Sequence, residues 1–532
     1  MQRIAKLALL TLSLTLIALF NLVPSAVAAT RYVSQSGGTF TGGSRCNAQT
    51  AISVATFNGT TNSAGDVNIL CGTLTTTLTP LGNGSAGNVI SIIFDTGASI
   101  SLPSCGANGC IFMSGLNYYL IDGSPTATPC GYVNHVDVAC SGTIEATATG
   151  TGMGQTESMG IYARGASHIE IRNLMIRNMY QHTSTSDQGA GHNYYGVWYG
   201  APNSDTVNVH NITCHDMKGC VVGETPNTNN TIAYSELYRM NWGTFQSGGH
   251  TVNGISNFSF HDNDVHDMEN WDDTTDSFHH DGIMLASDDT GNQTVNGAEV
   301  YNNYFHGGAS SPTCSGGNPC VTAWIFMEGV YNIHLYNNVI VANSGEEAAN
   351  GWIFFWSPVS SPNDTGQIIA NNTVLGSNLS NGACVRIEGV NTVIQENNIL
   401  AGCAYLTWMD SNTTWTVLNN QVYQSSSLQW RNNNTTYSTL AAWRTGSGGD
   451  ANAVATTGSL GLSAGYVPQA GSIAIGAGAN LTSLCSGTVT ALCQDAAGIA
   501  RPASGAWDSG AYQFSGTTPP PKPPVMRQPV IF

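Results

Sequence analysis

Four stretches between residues 299 and 402, EVYNNYFHG, HLYNNVIVA, IIANNTVLG and IQENNILAG, place an Asn-Asn pair between short apolar strands. The self-similarity reaches from GIYARGASHIEIRNLMIRN (160–178) to YLTWMDSNTTWTVLNNQVYQ (405–424), each unit holding two or three short alternating strands. A period of about 20 to 40 residues is that of a solenoid, in which no unit buries its apolar face alone and neighbours stack to make a continuous core. A chain of 532 residues would make an unusually large single globule, which favours the same reading.

The repeats align on one column: Asn173, Asn211, Glu236, Asp262, Asn302, Asn337, Asn371, Asn397 and Asn420. Asn tolerates left-handed backbone and its amide can bond both to the turn and to the next amide, so the column reads as an asparagine ladder at a corner. On these residues the chain resembles the right-handed parallel β-helix proteins of the pectate-lyase-like superfamily, across roughly residues 85–425. The resemblance implies an all-β solenoid with covered ends. The expected organisation is a signal peptide (1–28), an N-terminal cap and first coil (29–84), the β-helix (85–425), a C-terminal coil and closing segment (426–516) and a Pro-rich, unstructured tail (517–532).

Arg3 and Lys6 precede an apolar stretch that ends in Pro24 and Ala26-Val27-Ala28, the form of a cleaved secretory leader rather than a membrane anchor. No other segment is long and apolar enough to span a bilayer. All 14 cysteines follow it, mostly as close pairs: Cys105/Cys110, Cys130/Cys140, Cys214/Cys220, Cys314/Cys320, Cys384/Cys403 and Cys485/Cys493, leaving Cys46 and Cys71. With no CxxC spacing for zinc, these read as disulfides of a secreted or surface protein. A net charge of −18, with only Lys218 and Lys522 as lysines past the leader, argues against nucleic acid as a partner. A monomer acting on polysaccharide is the expectation.

A second column carries the chemistry. Asn178, Asp216, Asn241 and Asp267 give way to Gly307, Ala342, Gly376 and Gly402, and the residues just before them are Arg177, His215, Met240, His266 and His306, then Val341. Titratable groups thus stop after one run of coils. The polar connections 180–195, 242–250 and 268–281 follow those same coils, and loops issuing from one corner stack into walls. A groove beside Arg177, His215, His266 and His306 is expected, with His215 and His266 two coils, roughly 10 Å, apart.

FHHDGIML (278–285) ends the longest acidic loop. It puts His279, His280 and Asp281 at the expected groove wall near Asp272, Asp273 and Asp276, although Asp-Gly is also an ordinary turn pair. Asp281-Gly282-Ile283 resembles the Asn-Thr-Asp-Gly segment of polygalacturonase-type glycoside hydrolases, a likeness that carries over Asp281 alone because the family's second Asp-Asp does not recur. Hydrolysis needs two carboxyl groups; elimination from a uronic acid needs a base and commonly calcium. Asp281, His280, His266, Asp267 and Asp276 are the catalytic candidates, and Arg177, His215, Lys218, His306 and His250 the substrate contacts. Asp272 and Asp273 would hold calcium if calcium is used. The expectation is a polysaccharide hydrolase or lyase, the alternative a non-catalytic adhesin or carbohydrate-binding β-helix. Trp324, Trp352, Phe354, Phe355 and Trp356 would serve as coil core or as a sugar platform.

Overall fold

The structure, a computed structural model, describes residues 28–148, 157–179, 193–248, 254–268, 281–287, 295–308, 322–343, 348, 350–357, 365–377, 382–410, 412–514 and 516. The chain is a parallel β-helix. Among the described residues, successive coils contribute strands to a 15-stranded sheet, a 23-stranded sheet and a small 5-stranded sheet, and the coil-to-coil pairings are parallel. Each coil turns from the first large sheet into the second at the Asn corner. Thr213–Glu224 and Glu236–Gly248 each run as one strand through the next bend as well, which joins two faces into one 23-stranded sheet. The stretch from Trp242 to Gly248 is therefore strand rather than the loop its polar composition suggested; Thr244 and Gln246 are buried, and Gln246 accepts from the Tyr199 hydroxyl at 2.8 Å.

Alternation decides what faces inward. Ile176, Cys214, Leu237, Val265, Phe305, Ile340, Val374, Leu400 and Tyr423 are successive register partners and form one fully buried file. Each large apolar member contributes ~1.5–3 kcal/mol by leaving water. Trp324, Trp352, Phe354 and Phe355 are buried, while Trp356 is half-buried.

The Asn corner holds residues with φ between 52° and 57°: Asn173, Asn211, Tyr234, Asp262, Asn302, Asn337, Asn371, Asn397 and Asn420. One expected member is corrected: Tyr234 takes the corner and Glu236 lies two residues on, paired with Thr213 and Asp264. The amide-to-amide ladder is also one residue later than expected. Asn263, Asn303, Asn338 and Asn372 each donate to the next coil's amide at 3.0 Å, and Asn398 donates to Gln421 at 3.1 Å. The left-handed residue turns its side chain out, so the following one points into the dry interior where amide pairs meet no competing water.

The outward corner amides hold other chain segments. Asn211 donates to the carbonyl of Cys130 at 3.1 Å, Asn337 to that of Gln494 at 2.8 Å, Asn397 to that of Ala479 at 2.9 Å and Asn420 to that of Ala477 at 2.9 Å. The C-terminal segment thereby closes over the later coils. Six disulfides join the expected partners: Cys46–Cys71, Cys105–Cys110, Cys130–Cys140, Cys214–Cys220, Cys384–Cys403 and Cys485–Cys493. Cys314 and Cys320, the leader up to Val27 and the tail from Thr517 lie outside the described residues.

Candidate active site

Because Val265 and Phe305 face inward, their strand neighbours face outward, and two parallel files result on the outer face. One runs Glu145, Arg177, His215, Tyr238, His266, His306; the other runs Thr143, Met175, Thr213, Glu236, Asp264, Tyr304. Arg177, His215, His266 and His306 therefore share one line, as their spacing implied. Tyr238, not Met240, fills the gap, because the coil that begins at Tyr234 was aligned two residues late.

Rings stack along the first file at one-coil spacing. Centroids are 4.6 Å apart from His215 to Tyr238, 4.8 Å from Tyr238 to His266 and 5.0 Å from His266 to His306. Every imidazole in it has a carboxylate. His215 Nδ1 lies 2.6 Å from Asp216 Oδ2, His266 Nδ1 lies 2.8 Å from Asp267 Oδ2, and His306 Nε2 lies 2.8 Å from Asp264 Oδ1. Basic side chains are held too: Arg177 Nη2 donates to Glu145 at 2.7 Å and Arg239 Nε to Asp216 at 2.6 Å.

A hairpin arm overhangs the second file. Its strands Gly131–Val133 and Val136–Val138 pair antiparallel and Cys130–Cys140 closes its base. Tyr132 N donates to Tyr234 O at 3.0 Å, which ties the arm to the corner. Gly131 (φ +72°) is required there, since a Cβ would stand 2.5 Å from Ile212 O. The arm brings in Asp137, whose carboxylate, that of Glu236 and a ring nitrogen of His266 all lie within 4.8 Å of one another.

The cluster's charges act on each other. Asp137 is raised to about 6 by partial loss of hydration and by the charges of Asp264 and Glu236, which outweigh His266 and His306. Burial works against the His266 imidazolium, but Glu236, Asp267 and Asp264 prevail and raise it to about 9. Its Nε2 lies 3.6 Å from Glu236 Oε1, ion-pair range but too long for a hydrogen bond, so that buried nitrogen has no hydrogen-bond partner. Partial burial opposes ionisation of Asp267 too, yet the Gly308 N–H at 2.7 Å, His266 and His306 hold it below the ordinary carboxylate range. Two carboxylates and an imidazole could also ligate a divalent cation, and the nitrogen ligand suits a transition metal better than calcium.

Two expectations change. Asp281 is not at a groove wall: it is 0 % exposed, with the inward parity of Ile283 and Leu285. Its Oδ1 accepts from Ala323 N at 2.9 Å, Oδ2 has no partner, and burial raises it well above the ordinary range, which favours the neutral acid inside the coil. Lys218 is 5 % exposed, outside the file, with Nζ 3.7 Å above the Trp242 ring. His250, Asp272, Asp273, Asp276 and His280 lie outside the described residues. Conversely, Asp137, Glu236 and Asp264 were missed. Asp264 was recoverable as the outward alternate of His266, Glu236 was hidden by misalignment with the turn column, and Asp137 sat in CGYVNHVDVAC, which reads only as a disulfide loop.

No family model matches the chain, and no curated protein matches it. Solved structures similar to it include pectate lyase Pel9A, at TM-score 0.44 and 13% identity over 92% of this chain and 97% of that one. The GH136 lacto-N-biosidase from Eubacterium ramulus is similar at TM-score 0.40 and 12% identity, over 76% of this chain and 65% of that one. Neither likeness bears on which residues of this chain act.

Proposed function

We propose that this protein is a secreted enzyme that hydrolyses an extended, uncharged glycan lying along the coil axis over the Arg177–His306 face. The observation that carries this reading is Glu236, an outward carboxylate among Asp137, Asp264 and His266 on a face that stays polar for five coils, from Arg177 to His306. Coils stack about 4.8 Å apart, so His215, Tyr238, His266 and His306 offer a straight series of ring edges and N–H groups to sugar hydroxyls.

Glu236 is the carboxylate that attacks the anomeric carbon. Asp264 is committed to His306 at 2.8 Å and steadies the floor. His266, cationic near neutral pH, stabilises the Glu236 carboxylate. Hydrolysis is favoured over elimination because Arg177 and Arg239 are tied to Glu145 and Asp216, and Lys218 packs on Trp242. An uncharged glycan is favoured because a net charge of −18 repels a polyuronate. Six disulfides among the described residues suit an oxidising, extracellular setting.

The test is release of reducing ends from xylan, arabinan, β-glucan and homogalacturonan. Wild type should cleave at least one uncharged polymer, with or without EDTA, and Glu236→Gln should be folded and inactive. Loss of activity in EDTA would move the chemistry to a cation held by Asp137, Glu236 and His266. Binding without any cleavage would overturn the reading in favour of an adhesin-like surface protein.

A further inference from the structure

Glycoside hydrolysis by an attacking carboxylate is incomplete without a group that protonates the departing oxygen, and the outer face is poorly placed to supply one: cationic His266 turns Nδ1 to Asp267 at 2.8 Å and its buried Nε2 toward Glu236, 3.6 Å away. Asp264 is engaged by His306, and Asp267 is held ionised by Gly308 and His266. The arm stands opposite the floor. Tyr132 and Asp137 are direct cross-strand partners in its hairpin, so their side chains share a face. Tyr132 is only 7 % exposed, packed against the coils, while Asp137, on the same face of the hairpin, remains exposed to solvent. Its carboxylate reaches to within 4.8 Å of both Glu236 and His266.

We propose that Asp137 is the proton donor to the leaving group, and that the disulfide-closed arm exists to hold this carboxyl over Glu236. The inference rests on the hydrolytic reading above. The narrow separation belongs to the retaining design, in which the two carboxyl groups stand about 5–5.5 Å apart. Glu236 forms a bond to the anomeric carbon as the glycosidic C–O bond breaks; the electron pair leaves with the oxygen, which takes the Asp137 proton. Asp137, now a carboxylate, removes a proton from water as that water displaces Glu236, which returns both groups to their starting forms. No co-reactant besides water is consumed.

The environment suits the role. Asp137 faces Glu236, Asp264, His266 and His306 from the floor and shares its arm with His135, while Asp495 and Tyr512 of the closing segment act on His135 and Tyr132.

The experiment compares full-length wild type, Asp137→Asn, Asp137→Glu and Glu236→Gln on the polysaccharide of the panel that wild type cleaves and on the matching p-nitrophenyl oligosaccharide. Nitrophenolate departs without protonation. Asp137→Asn should therefore lose ~10²–10⁴-fold in kcat on the polysaccharide, lose far less in the glycosylation step on the aryl substrate, and lose the fall in kcat/KM as pH rises through about 6. Asp137→Glu should restore part of the polysaccharide activity. Equal losses on both substrates, an unchanged alkaline limb, or full polysaccharide activity in Asp137→Asn would overturn the assignment. An inactive Glu236→Gln beside a fully active Asp137→Asn sinks only this inference. A fully active Glu236→Gln, or a wild type that cleaves no member of the panel, sinks the hydrolytic reading and this inference with it.

Discussion

The same outward position changes character half-way along the coil. From Arg177 to His306 it carries guanidinium, imidazole and phenol; from Val341 onward its successors are Leu375 and Ala401. In the neighbouring file, Glu236 and Asp264 are succeeded through Tyr304 by Val339, Thr373 and Ile399. The apolar half is covered: Val339 and Val341 pack with Tyr466, Ala496 and Ala511, and Leu375 and Ile399 with Leu460, Leu462 and Ala474. Backbone and inward file are continuous through both halves, so the outward alternates alone decide whether the face docks the C-terminal segment or carries titratable groups. A periodic scaffold supplies the geometry, and a local break in one outward file supplies the chemistry.

The comparison breaks most sharply where the polar half is neutralised. Glu236→Gln keeps size and removes the charge, so polysaccharide cleavage should fall by ~10⁴-fold or more, as on losing a member of a nucleophilic unit, with the melting temperature lowered only by loss of the ion pair to His266, under ~1 kcal/mol. A reducing-end assay beside thermal unfolding checks both. The mirror experiment puts a charge into the apolar half. Ile399 is 1% exposed under the closing segment, and Ile399→Asp would bury a carboxylate without a partner, a loss of ~3–5 kcal/mol. Cleavage measured well below the lowered melting temperature should stay near wild type. If Ile399→Asp abolishes cleavage while remaining folded, the two halves are not separable in the way their surfaces imply.

A smaller effect is expected from the element both halves share. Asn338 donates to Asn372 and to Val300 O, and receives from Asn303, all inside the coil. Asn338→Ala leaves buried amides unsatisfied on either side, at ~1–3 kcal/mol, readable as a lower urea midpoint with cleavage retained.

How much of this was legible follows from what leaves a trace in sequence. The coil was, because stacking imposes a period and the left-handed corner selects Asn at Asn302, Asn337, Asn371 and Asn397. The imidazole file was, because His266 and His306 stand in the same place in their repeats. Tyr234 broke the alignment because a tyrosine at φ 52° has no local signature, and the two-residue slip hid Glu236. Asp281 misled because Asp-Gly reads as a turn, whereas strand parity turns it inward. Asp137 was illegible in principle: it reaches the site by an excursion between coils, and nothing local encodes where a ten-residue disulfide loop folds back.

The finest distinction between the halves is electrostatic. The polar half contains a group whose folded state binds a proton more tightly than the unfolded chain does between about pH 6.5 and 9: burial opposes it, but Glu236, Asp267 and Asp264 raise His266 to about 9 from an ordinary 6.5. A raised imidazole contributes stability that is fully present below about 6.5 and is lost as pH climbs through about 9. The apolar file of Val341, Leu375 and Ala401 has no titrating member and adds no slope in that window. Urea midpoints should therefore fall between pH 6 and pH 9.5 in wild type, by the equivalent of ~1 kcal/mol once solvent screening of the partly exposed Asp267 is allowed for. In His266→Gln, with its carboxylate partners left in place, that part of the slope should vanish. A slope that survives unchanged in His266→Gln would mean the imidazolium is not held by Glu236 and Asp267, and would remove the electrostatic support on which the assignment of Glu236 as an ionised nucleophile depends.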